Sequence, residues 1–177
     1  MPAAGAVPAE QALVALAVST GAALLRSGLR VVTVESCTGG YLAKLLTDLA
    51  GSSAWFECGY VTYSNAAKQR DVGVTPQTLL MHGAVSQQTV LEMAQGALLR
   101  TGADLALSIS GVAGPGGATL HNAVGSVWMA WAVRGPGGAV EVTAEHQQFA
   151  GDRDAVRRQS VARALRGLQQ RAVRPAL

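Results

Sequence analysis

The chain is poor in cysteine, lysine and charge, and each shortage narrows what it can be. Its two cysteines, Cys37 and Cys58, are too few for a disulfide framework. No two histidines or cysteines have metal-ligand spacing and no His-Glu-x-x-His motif occurs, so neither a metal nor another cofactor is expected. The apolar stretch Ala3 to Leu25 is broken by Glu10, Gln11, Ser19 and Thr20, and it lacks the basic start of a signal peptide. No uncharged run reaches the length of a membrane span, so a cytoplasmic protein without membrane contact is expected. Charged residues make up 14% against 49% apolar, the balance of a globular chain and not a disordered one. Lys44 and Lys68 stand against twelve arginines. A chain that prefers arginine keeps lysine where a neutral amine is needed, because arginine is always charged.

The 177 residues suffice for one domain burying about 70% of its unfolded surface. No repeat or linker divides them, so a single compact domain over residues 1–177 is expected. The net charge of +3 is mild, but seven of the fourteen basic residues lie between Arg153 and Arg174. A solvated amphipathic helix explains that cluster as well as a nucleic-acid patch does, and nucleic acid is not expected as a partner.

Helices are predicted over Pro8–Ser27, closed by Gly28, and over Thr38–Leu49, Asn65–Val72 and a short segment opened by Thr75-Pro76 and closed by Gly83. A longer helix follows Ser86, over Gln87–Thr101, and the last follows Asp152 to about Arg171. Strands are predicted over Leu29–Val34, Phe56–Tyr63 and Leu105–Ser110, with a hairpin of Gly125–Val133 and Ala139–Phe149. The loop Gly111–Ala123 is too long for a simple connector. Strands alternating with helices and closed by a hairpin predict an α/β fold, a three-layer α/β/α sandwich with a mixed sheet. Ligands gather at strand carboxyl ends in such sheets, where the loops from Glu35 and from Ser110 face one another.

The octapeptide Thr33-Val-Glu-Ser-Cys-Thr-Gly-Gly40 places a hydroxyl and a thiol on a tight turn between strand and helix. Backbone N–H groups there suit a nucleophile or an anion. Ser36 is the candidate nucleophile; alternatively Ser36 and Thr38 only cap the following helix. None of His82, His121 and His146 lies in a triad signature. Lys68 is the better base. With Asn65 as cap it is the third helical residue, where the dipole disfavours its charge by roughly 0.3–1 kcal/mol, and burial must supply the rest. Tyr63 is placed to relay a proton between Lys68 and Ser36 or to orient the amine. Cys37 is the rival nucleophile, a thiol near a helix N-terminus. Gly111 to Gly117 has the glycine density of a phosphate loop but matches no fingerprint. Arg153 is a candidate partner for a phosphate or carboxylate.

Ordered segments along nearly the whole chain resemble the CinA C-terminal domain family, which includes nicotinamide-nucleotide amidohydrolases. They are Val34-Glu-Ser-Cys-Thr-Gly-Gly40, Gly51-Ser-Ser-Ala-Trp-Phe56, Gly59-Tyr-Val-Thr-Tyr-Ser-Asn65 with Lys68, His82-Gly-Ala-Val-Ser86, Ser108-Ile-Ser-Gly-Val-Ala-Gly-Pro115, Val124-Gly-Ser-Val-Trp128 and Gly151-Asp-Arg-Asp-Ala-Val-Arg-Arg158. The resemblance implies deamidation of nicotinamide mononucleotide to nicotinic acid mononucleotide and ammonia, in pyridine nucleotide recycling. It implies catalysis by Ser36, Tyr63 and Lys68, with Arg153 assisting. Glu35, Cys37, Thr38, Gly39, Gly40, Ser110, Gly111 and Arg153 are expected to line the substrate site. A homodimer in the stand-alone form of the family is implied. Where members often carry Lys-Pro before this strand motif, the chain has Asn122-Ala123, so substrate preference is the property open to change. The competing reading is a non-catalytic nucleotide-binding or partner-docking module.

Overall fold

The computed structural model describes residues 7–173; the outer ends of the expected 1–177 domain, and Arg174 of the basic cluster, lie outside the described residues. Helix α1 (Glu10–Ser27) ends where Gly28 adopts a φ of 67°, a left-handed turn that a residue without Cβ makes at little cost. Strand β1 (Val31–Glu35) follows, and all five of its residues are buried. Helix α2 (Tyr41–Thr47) starts three residues later than its sequence suggests, because Gly39 and Gly40 hold φ values of 60° and 90°. After β2 (Phe56–Val61) come α3 (Asn65–Val72), α4 (Pro76–His82) and α5 (Gln87–Arg100). Strands β3 (Leu105–Gly111), β4 (Ser126–Arg134) and β5 (Val140–Gln148) lead into α6 (Arg153–Val173).

The five strands form one sheet in the order β2-β1-β3-β4-β5. The first three are parallel and the last two antiparallel, so the sheet is mixed and the expected three-layer sandwich is found. Alternation along each strand sorts the core into two clusters. Leu105, Leu107 and Ile109 of β3, with Val127, Met129 and Trp131 of β4, face α1, α2 and α6. On the other face Ala106, Ala130 and Ala132 lie under Val90, Met93, Ala94 and Ala97 of α5. Small residues there let α5 approach closely, and the Ser108 hydroxyl is satisfied on the Val90 carbonyl at 2.6 Å.

From β1 the chain first moves outward to β2, then crosses back to place β3 on β1's other side. The carboxyl ends of β1 and β3 therefore meet at the point where strand order reverses, the usual place for a ligand crevice in α/β sheets. Both segments singled out from the sequence, after Glu35 and after Ser110, open there.

Candidate active site

The turn after β1 is built by Glu35. Its carboxylate, fully buried, accepts from the backbone N–H of Gly40 at 3.1 Å, Leu42 at 3.1 Å and Ala43 at 2.8 Å. The acid thus caps α2 with charge-assisted bonds and occupies the positive end of that helix. Capping by Ser36 or Thr38 is not found, and Ser36 keeps its hydroxyl for another partner. Backbone bonds from Ser36 N to Ile109 O at 3.0 Å and from Gly39 N to Ser36 O at 3.1 Å fix the turn to the end of β3. The N–H groups of Gly39 through Ala43 are thus committed to Ser36 O, the Glu35 carboxylate and Thr38 O, which leaves Cys37 and Thr38 at the apex of the turn.

Lys68 reaches this turn from α3. Its cap is Ser64, whose hydroxyl accepts from Ala67 N, and not Asn65, so Lys68 is the fourth helical residue. The side chain is 1% exposed, and Nζ donates to the carbonyls of Thr62 at 2.7 Å and Tyr63 at 3.4 Å and lies 3.0 Å from Ser36 Oγ. Burial pulls its pKa down to about 8. The neutral amine is thereby far more accessible near neutral pH than in an exposed lysine. A neutral amine has two N–H groups and one lone pair. Both carbonyls accept only, so when the two N–H groups serve them the lone pair is left for the Ser36 hydroxyl proton.

The Tyr63 hydroxyl does not stand between these two groups. The side chain is 62% exposed, and its oxygen accepts from Arg153 Nη2 at 3.2 Å. Arg153 Nη1 donates to the Gly114 carbonyl at 2.9 Å, so this arginine ties the loop after β3 to the segment after β2. The contact between Tyr63 and the amine is made by its backbone carbonyl. Asp152 caps α6 through Ala155 N at 2.9 Å and so fixes Arg153 at the rim.

The remaining candidates divide by what their polar atoms already touch. Ser110 Oγ donates to the Ala84 carbonyl at 2.7 Å, and Gly111 is tight against β4: a Cβ would lie 2.7 Å from Val127 Cγ2. Both fasten the loop base. Burial pushes the Cys37 thiol up to about 11 and keeps it protonated, as a packed side chain of the core. Thr38 is buried, its carbonyl accepts from Arg157 Nη2 at 2.8 Å, and Gly39 is exposed beside it. Arg157 and the Thr62 carbonyl were missed in the sequence. A backbone acceptor carries no residue signature, and one arginine in a row of them has none either. No group of three or more His, Cys, Asp or Glu among the described residues is placed to hold a metal. A cavity of about 460 Å³ lined by Trp131, Leu105, Val133 and Pro136 opens at the opposite end of the sheet, away from Ser36.

An α/β/α sandwich carrying a buried serine–lysine pair on a glycine-rich turn, at the carboxyl edge of its parallel strands, is the class these features define. The chain belongs to the CinA C-terminal domain family, whose model matches residues 13–172. It is 54% identical over 159 residues to the nicotinamide-nucleotide amidohydrolase PncC of Escherichia coli strain K12, covering 89% of this chain and 93% of that protein. The protein of the same name from Pseudomonas putida is 50% identical over 155 residues, with 88% and 94% covered. Among solved structures, the competence/damage inducible protein CihA from Agrobacterium tumefaciens superposes with a TM-score of 0.83 at 40% identity, over 93% of this chain and 96% of that one.

Proposed function

We propose that the protein is a nicotinamide-nucleotide amidohydrolase that converts nicotinamide mononucleotide and water to nicotinic acid mononucleotide and ammonia, with Ser36 as nucleophile and Lys68 as base. The observation that carries the mechanism is the Lys68 Nζ to Ser36 Oγ contact at 3.0 Å, in a site where burial favours the neutral amine. The substrate is supported by the names of the PncC relatives. Lys68 takes the Ser36 proton as Oγ adds to the carboxamide carbon. The amides of Cys37 and Thr38 hold the resulting oxyanion. The Lys68 ammonium then protonates the departing nitrogen, the C–N bond breaks and an acyl ester forms on Ser36. Water adds to that ester after giving its proton to Lys68, and collapse returns the proton to Ser36 Oγ. Arg153, Tyr63 and the glycine-rich backbone near Gly114 receive the nucleotide's phosphate, while Glu35, Gly40, Ser110 and Gly111 shape the walls.

In this reading the chain acts as one cytoplasmic domain and a homodimer. The dimer is supported by Val14, Val18 and Leu25, 42%, 51% and 60% exposed on α1. No helix among the described residues is long and apolar enough to cross a membrane. A role without nucleic acid is supported by three arginines of α6 that are engaged within the chain. Arg157 binds the Thr38 carbonyl, Arg158 pairs with Glu10, and Arg163 pairs with Glu145.

The test is incubation of the purified protein with nicotinamide mononucleotide, following ammonia and nicotinic acid mononucleotide, beside Ser36→Ala. Turnover that disappears in a folded Ser36→Ala variant is expected. Tight binding without turnover by the wild type would overturn the reading in favour of a binding module.

A further inference from the structure

The loop between β3 and β4 carries Gly114 to Arg153, and its far end is fastened by a chain of side chains that catalysis does not use. Asn122 Nδ2 donates to the Val85 carbonyl at 3.0 Å, Ser126 Oγ lies 3.2 Å from Asn122 Oδ1, and His146 Nε2 lies 2.8 Å from Ser126 Oγ. Ser126 is 3% exposed, and the His146 ring packs on Trp128 with centroids 5.0 Å apart. The chain therefore runs from β5, through the start of β4, to the segment between α4 and α5. At that segment the neighbouring Ala84 carbonyl receives Ser110, the residue at the loop's other base.

Donors and acceptors can be arranged along this chain in one sense. The Val85 carbonyl only accepts, so the nitrogen of the Asn122 amide must face it and the oxygen must face Ser126. That oxygen also only accepts, so the single Ser126 proton points to Asn122. Ser126 Oγ then has only lone pairs to offer His146, and at 2.8 Å the imidazole must supply the proton from Nε2. We infer that Asn122 is a positioning residue for the active-site loop, and that His146, as the Nε2–H form and acting through Ser126, sets its orientation. A neutral imidazole in water has no obligation to carry its proton there; the chain imposes it. With a bare Nε2 the single Ser126 proton would be drawn to the imidazole, and the Asn122 oxygen would lose the donor that holds the amide in place.

The inference has readouts that do not depend on the proposed reaction, and only its kinetic arm rests on that reading. With ¹⁵N-labelled histidine, long-range proton–nitrogen spectra should show His146 protonated at Nε2. A proton on Nδ1 would overturn the chain's direction. In hydrogen exchange, Ser126→Ala and His146→Leu should speed exchange of the 112–125 amides several-fold, while His146→Gln, whose amide donates from nearly the same place, should restore protection. Unchanged exchange in both disruptive variants would sink the positioning role. Asn122→Asp, isosteric but setting oxygen against the Val85 carbonyl, should be at least as disruptive as Asn122→Ala. With nicotinamide mononucleotide as substrate, the same variants should raise KM about threefold to tenfold, the factor one neutral hydrogen bond carries, with a smaller change in kcat. A wild type that does not turn the nucleotide over would remove the functional reading and leave the other two readouts standing.

Discussion

The Lys68 amine lies closer to the Thr62 carbonyl, at 2.7 Å, than to the Ser36 hydroxyl it faces, at 3.0 Å. The backbone therefore holds the amine and the serine receives its remaining valence. In the proposed mechanism, activation of Ser36 depends on the protonation state of one buried lysine, whose pKa burial pulls down to about 8.

The pH dependence follows with a definite sign. The base must be neutral, so kcat/KM should rise through about pH 8 and level off above it. A flat profile across that range would contradict the role of Lys68. Stability moves the same way: the unfolded lysine keeps its proton up to 10.5, while the folded one releases it near 8. The unfolded state binds more protons in that window, so stability should rise with pH from 8 towards 10.5. Denaturant melts of wild type against Lys68→Met should show this rise only in the wild type.

Lys68→Arg should be inactive, with a loss of roughly 10²–10⁴ in kcat, because a guanidinium offers no lone pair at any working pH. Circular dichroism should show an intact fold. Activity within tenfold of wild type would exclude the neutral-amine mechanism.

Tyr63→Phe separates the backbone from the hydroxyl. The Thr62 and Tyr63 carbonyls that hold Lys68 survive the change, and the bond lost is the 3.2 Å contact from Arg153. The variant should keep the wild-type pH profile and raise KM about threefold to tenfold. A collapse of kcat by orders of magnitude would instead make the phenol a proton relay.

Glu35→Gln keeps the shape of the cap and removes its charge. An amide supplies one acceptor oxygen and turns an NH₂ towards N–H groups of Gly40, Leu42 or Ala43. A loss of about 2–3 kcal/mol in a urea melt is expected, together with a drop in activity as the Ser36 turn loosens. A melt indistinguishable from wild type would show that the carboxylate is not what holds α2.

Gly96→Ala tests how α3 is seated. A Cβ on Gly96 of α5 would lie 1.7 Å from the Val72 carbonyl at the end of α3, the helix that carries Lys68. Alanine favours a helix interior by about 1 kcal/mol, but the clash with backbone should outweigh it and leave a net loss of about 1–3 kcal/mol. Activity should fall with stability, because α3 cannot move outward without drawing Lys68 from Ser36. A stabilised variant with full activity would refute that coupling.

Much of the fold is readable without coordinates because its signals are local. Thr75, Ser86 and Asp152 cap their helices within three residues, and Gly28 closes α1 through its own φ. The buried strand β1 announces itself by the apolar and β-branched run Val31-Val-Thr-Val34. Boundaries failed where a competing local preference existed. Ser64 outbid its neighbour Asn65 as a cap, and paired glycines delayed α2.

The site divides in the same way. The sequence by itself singled out the candidates for chemistry: a serine on the turn after a strand, a scarce lysine, a glycine-dense loop. Only the tertiary structure decided what they touch. Lys68 meets Ser36 across thirty-two positions of chain, Glu35 turns inward to cap α2, and Arg153 crosses ninety positions to the Tyr63 hydroxyl. The physical reason is range. Caps and turns are set by bonds within a few residues, whereas donors and acceptors far apart in sequence are paired by how β1, β2 and β3 lie side by side and how α3 and α6 pack against them.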